Sequence, residues 1–316
     1  MLRILHGTSF DFLRWWKLAA GLTIVFVLAG LIPLLANGMR YSIEFTGGTL
    51  VQVTFDAPPD VTALRSALVE AGVPAAEVAQ FGSPTEYTIR AQDAASVEEQ
   101  TAGAEGVATR IEAALKTFAP DAHRVERTEA VSARVGDELT RNAMIAILIS
   151  FGITLIYLAW RFEWRFGAAA VAATAHDLVG TLALIKILDL EISLTIIAAI
   201  LTVIGYSLND TIIIFDRVRE NLIKHKKMAL YDVLNLSINE TLPRSVLTHG
   251  TTLLALAALL ILGGEVIRPF AIVMTFGVLV GTFSSMFVAT PLLVWIETKY
   301  PRETPIPGTR PAPAKA

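Results

Sequence analysis

The chain has 316 residues and no cysteine. That excludes a disulfide framework, thiol chemistry and a thiolate metal site. Charged residues make up only 17% of the sequence, against roughly 25% in an ordinary globular domain. The formal net charge is -3, so no basic surface points to nucleic acid. No P-loop, HExxH or GxSxG pattern occurs, so the sequence offers no basis for hydrolytic chemistry and calls for neither a cofactor nor a metal.

What fills the chain instead is apolar, at 53% of residues. A helix that crosses a bilayer needs about 20 mostly apolar residues. Six runs qualify, at residues 17–36, 142–160, 167–188, 193–215, 246–262 and 267–296. The first is too long for a signal-peptide core and leads into LLANG, a poor cleavage site, so it reads as an uncleaved anchor. Lys and Arg sort the connections. Arg3, Arg14, Lys17, Arg161, Arg165, Arg217, Arg219, Lys224, Lys226, Lys227, Lys299 and Arg302 all fall on one side of a six-span layout. That side is expected to be cytoplasmic, with both termini inside.

The other side holds two short turns, DLEIS and GGEVIR, and one large segment, residues 37–141. Within it GTLVQVTF alternates like a strand and DVTALRSALVEAG reads as an amphipathic helix closed by Gly72. VAQFGS and TEYTIRAQ form a hairpin pattern around Gly82, Ser83 and Pro84. A second helix over 96–119 and a strand over HRVERTEAVS follow. The order β-α-β-β-α-β predicts a ferredoxin-like α+β external domain. The expected organisation is an N-terminus and first span over 1–36, this domain over 37–141, a five-helix bundle over 142–300 whose cytoplasmic loop 216–242 forms one or two amphipathic helices, and a Pro-rich disordered tail over 301–316.

Polar residues inside the spans are few and costly; an Asp at the centre of a membrane helix costs roughly 2.5–3.5 kcal/mol on insertion scales. Asp177, beside His176, shares a helix face with Thr174 and Thr181. The fourth span offers Thr202, Gly205, Tyr206, Asn209 and Asp210 as one stripe. The fifth offers Arg244, Thr248, Thr251, Thr252 and Ala255, with His249 nearby. The sixth offers Gly277 and Gly281, then Ser284 and Ser285. Depth along the helices brings Asp210 level with Arg244. That predicts either a structural ion pair fixing register or a proton-carrying Asp beside a permanently charged Arg. Asp177 reads equally as a carboxylate satisfied by its neighbours, and the glycines and serines as packing residues.

The stretches RFEWRFGAAAVAATAHD, LTIIAAILTVIGYSLNDTIIIFDRVREN, THGTTLLALAALLILGGEVIRPFA and GVLVGTFSSMFVATPLL resemble the SecF proteins, the smaller partners of SecD in the SecD/SecF family of the RND superfamily. EFTGGTLVQV resembles that family's signature at the start of its external domain, with Glu44, Phe45, Gly47 and Gly48 as the signature turn. The resemblance implies an RND-type half bundle in a bacterial inner membrane, acting with SecD and YajC on the SecYEG channel. It implies that the proton gradient is used to help exported polypeptides across. It places the family's functional Asp at Asp210 and its functional Arg at Arg244, beside Asn209, Asp177 and His176. The family's acid is commonly Asp where this chain has Glu44. His249 and Pro243 also depart from its usual pattern, and Pro243 is expected to set the start of the fifth span. An RND-type small-molecule or lipid exporter half-unit is the competing reading; a self-contained pump of that kind would carry two bundles.

Overall fold

In the computed structural model, residues 7–91 and 100–300 are described. Arg3, Arg302, the start of the helix expected from residue 96 and the tail 301–316 lie outside them. In chain order come α1 (Trp16–Asn37), α2 (Ile43–Thr46), β1 (Gly48–Phe55), α3 (Val61–Glu70), β2 (Glu77–Gln80), β3 (Glu86–Ala91), α4 (Gln100–Phe118) and β4 (His123–Val131). Then follow α5 (Ala133–Arg161), α6 (Trp164–Ile187), α7 (Leu194–Lys224), α8 (Leu230–Leu262), α9 (Gly264–Ser284), a π-helical turn (Ser285–Ala289) and α10 (Thr290–Lys299). Six helical segments are long and apolar enough to cross a membrane: Leu13–Asn37, Arg134–Leu158, Trp164–Ile187, Leu194–Lys224, Leu230–Leu262 and Gly264–Lys299. The described residues fall into two compact units, one made of 40–146 with 191–194 and the other of the remainder.

The smaller unit is the split βαβ sandwich expected from the strand and helix order. Its sheet is antiparallel throughout, in the order β2-β3-β1-β4. β1 lies in the middle because its alternation puts Thr49, Val51, Val53 and Phe55 on the buried face. Leu64 and Leu68 of α3 and Ile111 and Leu115 of α4 cover that face. Asp60 caps α3, its carboxylate accepting from the N–H groups of Thr62 and Ala63 at 2.8 and 3.3 Å. Gly72, at φ 79, ends that helix in the left-handed conformation that favours glycine. The DLEIS connection also belongs to this unit. Ile192 exchanges backbone hydrogen bonds with the segment 40–42, and Glu191 pairs with Arg90 and, at 3.0 Å, with Arg40.

In the larger unit small residues set the helix contacts. A Cβ at Gly30 of α1 would overlap Ala183 of α6, and one at Gly277 of α9 would overlap Val203 of α7. A Cβ at Gly281 would lie 3.0 Å from Ser207. These glycines therefore bring backbones together, as small residues do in membrane bundles. Phe166, Phe215, Val218, Leu234, Ile238 and Leu293 are among the side chains that fill the core.

Two expectations are sharpened. The helices expected over 216–242 are not separate from the spans. α7 runs on to Lys224 and α8 starts at Leu230, so the pair is one long antiparallel helical hairpin. Its tip is knit by polar bonds: Arg217 to Glu240 at 2.7 Å, and buried Asn221 to Ser237 at 3.1 Å and to Glu240 at 2.6 Å. Polar composition hid these turns from a search for apolar runs. Consequently Pro243 lies inside α8 rather than at its start. The last span is also not one uniform helix. Pro291 has no N–H to give to the carbonyl four residues back, and the turn before it widens into the π-helical stretch Ser285–Ala289. The hydroxyl of Thr290 lies 2.9 and 2.7 Å from the Ser285 and Met286 carbonyl oxygens, and its one hydrogen serves that pair.

Candidate functional site: two buried carboxylates

α7 presents Ser207, Asp210 and Thr211 on its buried face. Asp210 is 2% exposed. One of its oxygens, Oδ1, accepts from the Ser245 hydroxyl of α8 at 2.7 Å. The same oxygen lies 3.9 Å from Nε2 of His249, one turn further along α8. The other oxygen, Oδ2, is buried and has no hydrogen-bond partner among the described residues. A buried carboxylate oxygen left bare is costly, so this position is one where gaining a proton or a new donor changes the balance most.

Arg244 does not meet Asp210. It is exposed, and among the described residues it makes no ion pair. The depth match read from the sequence holds, but the rotation differs. Successive residues on a helix point about 100° apart, so Ser245 and His249 share the inward face and Arg244 turns away from it. The fourth-span stripe is likewise split. Asp210 faces inward, while Thr202, Gly205 and Asn209 are exposed and Tyr206 lies between. Tyr206 reaches α8, its hydroxyl 3.0 Å from that of Thr252, and its ring lies 5.4 Å from the His249 ring.

Asp177 on α6 is 1% exposed and differently held. Its Oδ2 accepts from Ser207 of α7 and, at 2.6 Å, from Ser284 of α9. Its Oδ1 lies 2.9 Å from Nδ1 of His176. Beside it, Thr211 of α7 meets Ser285 at 2.9 Å. The hydroxyls of Ser207, Ser245 and Thr211 were not singled out from the sequence. Their only signal was a small polar residue one helical step from a residue that was. His176 also lines an apolar cavity of about 610 Å³ together with Trp16, Ile24, Phe287 and Trp295. Among the described residues no group of His, Asp and Glu is arranged to hold a metal.

The external signature is a piece of helix-end chemistry. Gly47 ends α2 at φ 71 and ψ 168, and Gly48 opens β1 at φ 125. The first lies in a backbone region essentially restricted to glycine. A Cβ on Gly136 of α5 would lie 2.8 Å from the Phe45 carbonyl oxygen, so that helix packs directly on the turn. Glu44 accepts from the N–H of Leu194, the first residue of α7, at 2.6 Å and from the Ser42 hydroxyl at 3.1 Å. It thereby satisfies one of the N–H groups that a helix start leaves open.

Fold and site together define a multi-pass helical membrane protein whose bundle interior holds carboxylates and hydroxyls, with a small antiparallel α+β domain following its first span. Residues 110–299 match the C-terminal model of the protein export membrane proteins SecD and SecF, and residues 34–59 match the SecD/SecF GG motif. The chain belongs to the SecD/SecF family. It is 58% identical over 305 residues to the protein translocase subunit SecF of Gemmatimonas aurantiaca, covering 96% of this chain and 91% of that one. It is 34% identical over 295 residues to the subunit of the same name from Escherichia coli O157:H7, covering 93% and 90%. Among solved structures it matches SecDF, a translocon-associated membrane protein from Thermus thermophilus, with a TM-score of 0.82 and 35% identity. That match covers 94% of this chain and 40% of the other, so the chain corresponds to less than half of SecDF.

Proposed function

We propose that this chain is the smaller half of a SecD–SecF unit in the bacterial inner membrane, and that it uses the proton gradient to promote export of unfolded polypeptides. The observation that carries the reading is the bare, buried Oδ2 of Asp210 inside the bundle. A proton on that carboxyl removes a buried charge and creates a donor, which rebalances the contacts of α7 with α8. One charge moved across 100 mV corresponds to about 2.3 kcal/mol, enough to bias a two-state bundle. Asp177 supports the same scheme as a fixed point, since it ties α6, α7 and α9 together.

A partner bundle is supported by what the chain leaves uncovered. Thr202, Gly205 and Asn209 of α7, with Thr251 and Arg244 of α8, are exposed on helices that cross a membrane. Small and polar residues in such helices pack on other helices rather than on lipid, and a charged Arg244 at membrane depth calls for a counter-charge. The SecD half is the proposed source of both. The likeness to a translocon-associated protein supports action on the SecYEG channel, with YajC as an additional partner. The Lys and Arg distribution supports cytoplasmic termini and an extracytoplasmic domain at 37–141, leaving 142–300 as the bundle.

The test is translocation into membrane vesicles with and without an imposed proton gradient, using the chain assembled with its SecD-type partner. Asp210→Asn preserves shape but cannot titrate. It is expected to assemble normally and lose the gradient-dependent stimulation. A full response to the gradient in Asp210→Asn complexes would falsify the proton reading. Arg244→Lys is expected to lose most of the stimulation as well, because a point charge does not replace a planar fork.

A further inference from the structure

We infer that His249 shares the proton of Asp210, so that the group loaded by the gradient is a carboxylate–imidazole pair rather than a carboxylate alone. The inference rests on the proton-coupled reading of Asp210 and adds a second acceptor to it.

The geometry fixes which imidazole nitrogen is the base. Nδ1 of His249 lies 2.8 Å from the hydroxyl of Thr282 on α9. That hydroxyl is also 2.8 Å from the carbonyl oxygen of Val278. A hydroxyl has one hydrogen, and a carbonyl only accepts. The Thr282 hydrogen therefore goes to Val278, and Nδ1 of the neutral imidazole carries a hydrogen that it donates to Thr282. Nε2 is left with a lone pair, and Nε2 is the atom 3.9 Å from Asp210 Oδ1. That separation is about an ångström beyond hydrogen-bond range, which a small side-chain rotation closes. Tyr206 packs its ring against the imidazole with the rings tilted at 51°, and Thr252 holds the Tyr206 hydroxyl, which limits the directions in which His249 turns. The groups that face it are thus Asp210 and Tyr206 from α7 and Thr282 from α9, with Ser245 one turn before it on α8.

The step balances within the pair. When Asp210 carries its proton on Oδ1, the oxygen that faces Nε2, that O–H bond breaks and an N–H bond forms at Nε2. A carboxylic acid and a neutral imidazole become a carboxylate and an imidazolium, and the reverse step returns the proton for release. In the charge-separated form both imidazole N–H groups have acceptors, Thr282 and Asp210. The pair binds its proton in either arrangement, two sites where the carboxylate alone offers one.

The experiment uses the full complex with its SecD-type partner in vesicles. Two readouts are taken, the first on the parent, His249→Asn and His249→Gln. The first is the pH dependence of gradient-stimulated export. Either substitution is expected to move its midpoint toward lower pH by about one unit, a tenfold change in proton concentration. The second is nitrogen NMR of labelled His249 in the parent and in Asp210→Asn. The parent is expected to show a neutral ring protonated at Nδ1 that converts to imidazolium as pH falls, and Asp210→Asn is expected to lose that conversion over the same range. An unchanged midpoint in both His249 variants, a neutral ring protonated at Nε2, or an identical titration in Asp210→Asn each overturns the inference. Failure of the underlying reading appears elsewhere, as a normal gradient response in Asp210→Asn.

Discussion

Asp177 and Asp210 are both carboxylates buried in the same helical bundle, a single turn of α7 from Ser207 to Asp210 serves both, and they are held in opposite ways. Asp177 has contacts from His176, Ser207 and Ser284 on its two oxygens. Among the described residues Asp210 has one hydrogen bond, from Ser245, and one bare oxygen. The first arrangement spans α6, α7 and α9 and already engages both oxygens. The second spans only α7 and α8 and is incomplete. Burial alone therefore does not set what a carboxylate gains from a proton or a new donor; the number of donors already committed to it does.

The largest expected effects fall on stability at one site and on coupling at the other. Asp177→Ala removes the acceptor of two buried hydroxyls and is expected to cost on the order of 3 kcal/mol. Thermal denaturation in detergent should show the loss, and the complex that survives should still respond to a proton gradient. Asp210→Asn should leave the denaturation midpoint almost unchanged while abolishing the response. If the two substitutions have the same effects, the distinction between them is broken.

Gly281 sharpens the contrast because it lies against Ser207, which holds Asp177. Gly281→Leu forces α9 away from α7 and is expected to cost about 1–3 kcal/mol by overpacking. Its effect should be seen in denaturation and should not add fully to that of Asp177→Ala, since the two share a contact. Full additivity would mean that Gly281 does not support the Asp177 cluster. Ser245→Ala, at the other site, removes the one hydrogen bond on Asp210. The expected outcome is a shifted pH midpoint of export stimulation with little loss of stability, and an unaltered pH profile would show that Ser245 does not tune the carboxyl.

The smallest effect is expected at a third carboxylate. Asp11, outside the spans, accepts from the Tyr231 hydroxyl at 2.7 Å, the Asn235 amide at 2.9 Å and the Arg14 N–H at 3.1 Å. The bond from Tyr231 is the main cause holding its carboxyl below the usual value. A group depressed in this way contributes stability above its unfolded pKa, and that contribution is lost as pH falls through the folded value. Tyr231→Phe should reduce the loss of stability seen on acidification from neutral pH into that range. The change should be small because the site is exposed. A large change would show that donors matter as much in water as they do in the bundle.

The apolar runs of the sequence determined the six spans, because about 20 apolar residues have no other comfortable solvent. The alternation of β1 and the capped, periodic helices determined the split βαβ domain. The adjacent glycines 47 and 48 marked a turn that needs positive φ, and both carboxylates were legible as costly residues in an oily setting. The length of the α7–α8 hairpin was not legible, because its tip is polar on the surface and its bonds, such as Asn221 to Ser237, join residues on different helices. The π turn before Pro291 was hidden in an uninterrupted apolar run. Most of all, the sequence placed Arg244 opposite Asp210, and the tertiary structure placed Ser245 and His249 there. One residue on a helix is a 1.5 Å rise but a turn of about 100°. Depth is therefore readable from position along the chain, whereas facing depends on how α7, α8 and α9 rotate to bury Ser207, Asp210 and Ser284 together, which only packing decides.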